Sequence, residues 1–198
     1  MSSRDKILTA VAANQPQKVN LPDIDFLKGL AGNHAEKFIA ILTAIGGKAI
    51  EVKSFDDIKA YIKQATSPGN RVVSTFSEIS DCVELINNYP GLPHDLQDIE
   101  LAVIGAALGV AENGAVWVKG DLLSQRVVPF ICQHLAVVLK KDEIVATMHD
   151  AYEKIGDEDY GFSTFIAGPS KTADIEQSLV LGAHGPRTMT VFIMNAGA

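Results

Sequence analysis

The run IELAVIGAALGVAENGAVWVKG, Ile99 to Gly120, decides how the rest of the chain is read. Between Glu100 and Glu112 it carries no charge. A short apolar run without polar alternation suits a strand buried on both faces, the habit of parallel sheets. Asn113-Gly114 then interrupts it, a strong turn signal because both residues tolerate positive φ. AVWV resumes the strand character on the far side of that turn.

Other runs read the same way. AVIGA within the opening stretch, LAVVL at 135–139, FSTFIA at 162–167 and TVFIM at 190–194 are free of charge, and KAIEV and RVVSTF are strand-like further upstream. Helical patterns lie between them. Asn33 and Glu36 have capping-box spacing ahead of an apolar face of Phe38, Ile41, Leu42 and Ile45, closed by Gly46-Gly47. Ser54 and Asp57 form a second capping box before IKAYIKQA, which Pro68-Gly69 ends. A further helix is expected from about Asp142 to Ile155, and the turn-rich NNYPGLPHD separates the two halves. Strands alternating with helices predict an α/β fold, a mostly parallel sheet with helices on both faces. Residues 1–22 read as an N-terminal helix and linker, either an arm or a closure for the chain's own core. Residues 23–198 read as the main domain.

Composition narrows the function. The 198 residues carry 24 acidic and 17 basic side chains, a formal charge of -7, with no basic run, which argues against nucleic acid and anionic membranes. No apolar run reaches the ~18 residues of a membrane span, and no signal peptide is visible, so the cytoplasm is the expected compartment. Cys82 and Cys132 stand fifty residues apart without a CxxC, so an iron–sulfur cluster or structural zinc on this chain is not expected. No pair of histidines has metal-ligand spacing.

Two stretches carry candidate chemistry. The first is AGPSKTADIEQSLVLGAHGP, Ala167 to Pro186. After the turn of Gly168, Pro169 and Ser170, its spacing predicts a helix whose mouth holds Ser170, Lys171, Thr172, Asp174 and Glu176. Unpaired N–H groups at such an end attract anions, and Lys171 would add a full charge. The glycines of a P-loop are missing. His184, beside Gly185, would shuttle protons if a nearby carboxylate raised its pKa. The plainer reading is a helix cap and a structural histidine. The second stretch is the Glu112, Asn113, Gly114 turn. Either it is a tight turn with a solvated Glu112, or it places Glu112 at the sheet rim where open α/β sheets bind ligands.

The segment GPSKTADIEQSLVLGAHGP resembles the C-terminal signature of the LUD domain, which defines the lactate-utilisation protein C (YkgG) family. Gly168, Pro169, Ser170, Thr172, Ala173, Asp174, Ile175, Glu176, Gly182, His184, Gly185 and Pro186 all match that pattern. IGAALGVAENGAVWV is similar to a second family motif, although Asn113 and Ala115 replace its hydroxyl residues, and VVPFICQHLAVVL is similar to the next strand. The resemblance covers roughly Phe38 to Met194. It implies a fold similar to the ribose-5-phosphate isomerase, glucosamine-phosphate deaminase and CoA-transferase superfamily. It also implies a non-redox role beside two iron–sulfur partners, lactate-utilisation proteins A and B, in L-lactate oxidation to pyruvate. The clusters would then sit on those partners and no cofactor on this chain. On this view Glu112, His184, Asp174 and Glu176 are the candidate catalytic groups. Asn113, Gly114, Gly168, Pro169, Ser170, Lys171, Thr172 and Gly185 would hold a small carboxylate. A homo-oligomer stays open. The rival is a stand-alone CoA-transferase-like or sugar-phosphate enzyme, because Ala111-Glu112-Asn113-Gly114 resembles the Ser-Glu-Asn-Gly motif of type I CoA-transferases, whose glutamate is the nucleophile.

Overall fold

A computed structural model describes residues 2–20, 22–27, 32–123, 125–157, 159, 161–175 and 178–195, with the side chains of 173–175, 178 and 179 outside the description. In chain order the elements are α1 (Ser3–Ala13), α2 (His34–Ala44), β1 (Lys48–Val52), α3 (Phe55–Ala65), β2 (Arg71–Ser74), β3 (Glu84–Leu85), β4 (Ile99–Gly105), β5 (Leu108–Val110), β6 (Ala115–Lys119), α4 (Val128–Ile131), β7 (His134–Lys140), β8 (Ile144–Val145), α5 (Met148–Ile155), β9 (Ser163–Ile166), β10 (Lys171–Ile175), β11 (Ser178–Leu181) and β12 (Thr188–Met194).

The charge-free runs are buried on both sides because successive strand residues point to opposite faces. In β7, Leu135, Val137 and Leu139 join one hydrophobic core, whereas Ala136 and Val138 join the other. In β12, Met189, Val191 and Ile193 face the first core, and Phe192 and Met194 the second. Phe38 and Leu42 of α2 cover the first face, and Ile58 and Ile62 of α3 the second. The six strands run in the order β1-β12-β7-β4-β2-β3, and every pair is parallel. The fold is therefore α/β with helices on both faces of a parallel sheet.

Not every buried run belongs to that sheet. β9, which contains most of FSTFIA, pairs antiparallel with β6 in a second sheet of order β8-β5-β6-β9. β4 leads straight into it: Ala106 N–H still donates to Val138 of the main sheet, while Ala107 N–H donates to Trp117 of β6. The helix expected from about Asp142 starts later. Ile144–Val145 first pairs in parallel with β5, and α5 begins only after Thr147, which with Asp150 closes a capping box.

Local capping follows the sequence at α3, where Ser54 and Asp57 satisfy each other's backbone N–H groups. At α2 only half of the box forms, Asn33 accepting from Glu36 N–H. α1 carries a complete Ser2–Asp5 box but buries none of its residues, so it does not close the chain's own core.

The outer strands are tied by Arg71. Its guanidinium donates to both oxygens of Glu84 at 2.8 Å, to Asp98 at 2.7 Å and to the Asp95 carbonyl at 2.8 Å. These bonds hold the Glu84 and Asp98 carboxyls below their usual range. A depressed folded pKa means the contribution is present above the unfolded value and is lost as pH falls through the folded one. Burial pushes the Cys132 thiol up to about 12 and raises that of Cys82 as well; neither forms a disulfide.

Candidate functional site: a cavity at the carboxyl ends of the parallel strands

A cavity of about 770 Å³ lies where the parallel strands end. Its floor is made of Thr75 and Phe76 after β2, Gly105 at the end of β4, Val138 and Lys140 of β7, and Met194 of β12. Phe55, the first residue of α3, stands beside Phe76 with ring centroids 5.2 Å apart. Lys119, Asp121 and Leu122 close one side from the second sheet, and Glu78, Asn87 and Asn88 close the other.

Several contacts set this shape. The buried Ser74 hydroxyl donates to the Val103 carbonyl and accepts from Phe76 N–H, which fixes how the chain leaves β2. Asn87 donates to the Thr75 carbonyl and pins the opposite wall to the same strand end. Asn88 adopts φ 60, a left-handed conformation that asparagine tolerates better than most residues. At Gly105 an added Cβ would stand 3.3 Å from the Phe76 ring, so glycine lets that ring lie close against the floor.

Charge is distributed unevenly around the rim. Lys119 lies 3.7 Å from Asp121, and Glu143 is bonded to Lys154 outside the cavity. Lys140 is exposed, and among the described residues no carboxylate pairs with it. Such a wall, apolar below and polar with one uncommitted cation above, is suited to orienting a small molecule.

Among the described residues, none of those singled out by sequence lines this cavity. The expected helix after Ser170 is instead a hairpin, β10 and β11, with Lys171 opposite Leu181 and Thr172 opposite Val180. There is thus no helix mouth at Ser170, Lys171, Thr172 and Asp174. The Asp174 side chain and all of Glu176 lie outside the described residues. The misreading has a plain cause. Apolar residues at Ile175, Leu179 and Val180 satisfy a helical spacing, but Thr172, Ile175 and Val180 are β-branched and suit strands better.

Lys171 serves the fold in its new place. Its ammonium donates to the carbonyl of Ile45, the C-cap of α2, where a cation complements the helix dipole. Gly168 has φ +73, and an added Cβ would lie 3.1 Å from that same Ile45 carbonyl. The adjoining Pro169 is buried. An added Cβ on Gly114 would meet Leu42 of α2 at 3.0 Å and Ile45 at 3.3 Å. The 111–114 turn and the 168–171 segment therefore do converge, but on the packed end of α2 rather than on a hollow.

The loop carrying His184 is also remote from the cavity. Ser170 N–H donates to Pro186, Gly182 N–H to Ser170, and Arg187 N–H to Gln133 just before β7. An added Cβ on Gly185 would lie 3.0 Å from Ser170, so this loop is drawn tight. It precedes Thr188 at the amino end of β12, and the cavity touches Met194 at the other end, about 20 Å away along a seven-residue strand. His184 is exposed, and among the described residues no hydrogen bond or ion pair joins it to Glu112.

Asn113 and Gly114 make the tight turn between β5 and β6. The Asn113 side chain accepts from Ala115 N–H at 3.0 Å, and Gly114 takes φ +69. Glu112 accepts from Met148 N–H at 2.8 Å, the first residue of α5. A carboxylate there stabilises a helix start. It also leaves the CoA-transferase comparison without geometric support, because a nucleophile has to face its substrate. Glu112→Ala is expected to cost about 1 kcal/mol of stability, as cap losses do. Glu112→Gln, which keeps an acceptor oxygen, is expected to lose less than half of that. Urea melts of the two variants check the order, and equal losses would mean the Met148 contact is not what Glu112 contributes.

The residues that do line the cavity left a trace in the sequence that spacing alone could have revealed. Lys119 and Lys140 are the first charges after AVWV and LAVVL, where charge-free strands reach their carboxyl ends. Asn87 and Asn88 open the turn-rich loop. Nothing local identified Phe55 or Phe76 as neighbours.

Comparison with known proteins agrees with this architecture. The family model of the LUD domain matches residues 89–194, from just before β4 to the end of β12. A lactate utilization protein C of Oceanobacillus iheyensis is 32% identical over 92 residues, covering 43% of this chain and 40% of that protein. One from Deinococcus radiodurans is 26% identical over 117 residues, covering 57% and 55%. The chain thus spans about half the length, or less, of the curated relatives it matches. The crystal structure of a DUF162 family protein from Deinococcus radiodurans superimposes with a TM-score of 0.60 at 17% identity, over 81% of this chain and 96% of that one, which shows a shared fold. Because the family model takes in more than half of the chain and all the strands of the sheet from β4 onward, this protein belongs to the LUD-domain family.

Proposed function

We propose that this chain is a component of a lactate utilization system of the protein C type. In this reading it carries no redox centre of its own and acts in the cytoplasm with two iron–sulfur proteins, A and B, in oxidising L-lactate to pyruvate. That reaction releases two electrons and two protons, and the electrons pass to clusters on the partners. The contribution of this chain is to hold a small carboxylate, and Lys140 at the cavity rim is the group best placed to meet it.

The observation that carries the reading is the LUD match over 89–194 together with where that segment folds. It supplies Gly105, Lys119, Lys140 and Met194, hence most of the cavity's floor and both of its lysines. The matched relatives named lactate utilization protein C support the pathway. Glu112 at the start of α5 gives the stand-alone acyl-transfer alternative nothing comparable.

Deletion of the gene is expected to abolish growth on L-lactate and spare growth on pyruvate, with recovery on complementation. The measurement belongs in a strain with no second lactate oxidase. Unchanged growth there would remove the proposal. Affinity capture of the tagged chain from lactate-grown cells is expected to recover proteins whose spectra show iron–sulfur clusters.

A further inference from the structure

The cavity is much larger than lactate requires. A water molecule takes about 30 Å³ of liquid, so a three-carbon hydroxy acid fills on the order of 100 Å³. The cavity measures about 770 Å³, within the range of sites for molecules several times larger.

Its position is equally informative. β2 continues outward to β3, whereas its neighbour β4 continues through the second sheet toward β7 on the other side. Adjacent parallel strands whose connections leave in opposite directions open a crevice at their carboxyl ends, where doubly wound sheets place elongated ligands. Phe76 and Gly105, at the ends of these two strands, line the cavity. From Lys140 at the end of β7 to Asn88 beyond β3 is three strand spacings, about 14 Å.

The lining changes character along that length. Phe55 and Phe76 present aromatic surface, the pair tilted by 50°, and Gly105 lets the Phe76 ring lie close against the floor, 3.3 Å from where a Cβ would stand. Carboxylates at Glu78 and Asp121 accept hydrogen bonds and suit hydroxyl groups. Among the described residues no carboxylate engages Lys140 at the rim, since Glu143 is held by Lys154 and Asp121 lies beside Lys119. Flat ring, hydroxyls and anion are the three parts this wall distinguishes.

We propose that the cavity binds a nucleoside monophosphate, with its ring against Phe55 and Phe76, its ribose hydroxyls at Glu78 or Asp121, and its phosphate at Lys140. The inference rests on this cavity being the working site of the LUD domain, and it does not require the lactate role. A lysine meets phosphate as a point charge without wrapping loops, consistent with the missing P-loop glycines.

Calorimetric titration of the purified chain with AMP, GMP, CMP and UMP tests it, alongside the matching nucleosides, ribose 5-phosphate and L-lactate. At least one nucleotide is expected to bind on the order of tenfold more tightly than its nucleoside and than ribose 5-phosphate. Lys140→Met is expected to weaken the nucleotide about tenfold and leave the nucleoside unchanged. Phe76→Leu should weaken both. Thermal melts monitored by circular dichroism check each variant's fold, and Phe55→Leu replaces Phe76→Leu if the latter melts early. No nucleotide binding below about 1 mM, or binding that neither substitution weakens, overturns the proposal. L-lactate binding without any nucleotide binding overturns it too and leaves the lactate reading standing. Nucleotide binding by a chain dispensable for growth on lactate sustains this inference and removes that reading.

Discussion

Phe38→Ala is expected to lower the unfolding free energy by about 3–5 kcal/mol, the range for emptying a buried aromatic site. Phe38 is fully buried in the middle of α2. Its ring reaches across to the second sheet, where an added Cβ on Gly109 would stand 3.3 Å from it and 2.6 Å from Leu139. Removing the ring detaches a helix, the main sheet and β5 from one another at a single point. The surrounding β-strands are hydrogen-bonded on both sides and cannot collapse into the space, which places the loss toward the upper part of that range. For a chain of about 200 residues this corresponds to a fall in Tm of roughly 6–20 °C. Differential scanning calorimetry measures it, and a fall of only one or two degrees would show that α2 is not a principal cover of the sheet.

Gly114→Ala is the second large effect, and it tests what the turn after Glu112 is for. Gly114 has φ +69, which costs a residue bearing a Cβ about 1 kcal/mol or more. The new Cβ would also stand 3.0 Å from both the backbone nitrogen and the Cα of Leu42, atoms fixed within helix α2. Crowding of that kind adds about 1–3 kcal/mol, for an expected loss of about 2–4 kcal/mol. Gly69→Ala is the control, because Gly69 has φ +93 and nothing within 4 Å of an added Cβ. It should lose only the conformational part, about 1 kcal/mol. Equal losses in urea melts would mean that the approach of α2 to the turn plays no part.

The approach of α2 to Gly114 also shows why the 111–114 sequence leaves a tight turn and a ligand rim equally open. A glycine two residues after an acidic one at a strand end fits a ligand rim as well as it fits a tight turn. The difference lies in what approaches the glycine. Here it is the backbone of α2, some seventy residues earlier in the chain. The carboxylate beside it meets the N–H of Met148, thirty-six residues later. Neither neighbour can be read from the motif.

The same division runs through the Gly168–Pro186 segment. Its glycine, proline and serine identities mark a constrained crossing of the chain, and the structure contains one, with Gly168 against Ile45 and Gly185 against Ser170. The expected helix fails because the four-residue spacing of Ile175 and Leu179 crosses from β10 into β11, two strands that pair antiparallel with Ile175 opposite Ser178. Pairing energy from the opposite strand overrides the local helical pattern.

By itself the sequence determined the layers of this protein. Charge-free runs such as LAVVL and TVFIM can be stable only with both faces covered, and that requirement, with intervening amphipathic helices, is a parallel sheet inside an α/β fold. Capping at Ser54 and Asp57 and the tight turn at Asn113-Gly114 were equally local matters. Only the tertiary structure decided which strands are neighbours, and therefore which strand ends share a cavity. Lys140, Gly105, Phe76 and Asn88 come together because β7, β4, β2 and β3 are adjacent in space, an order that arises from long-range packing and leaves no period in the sequence.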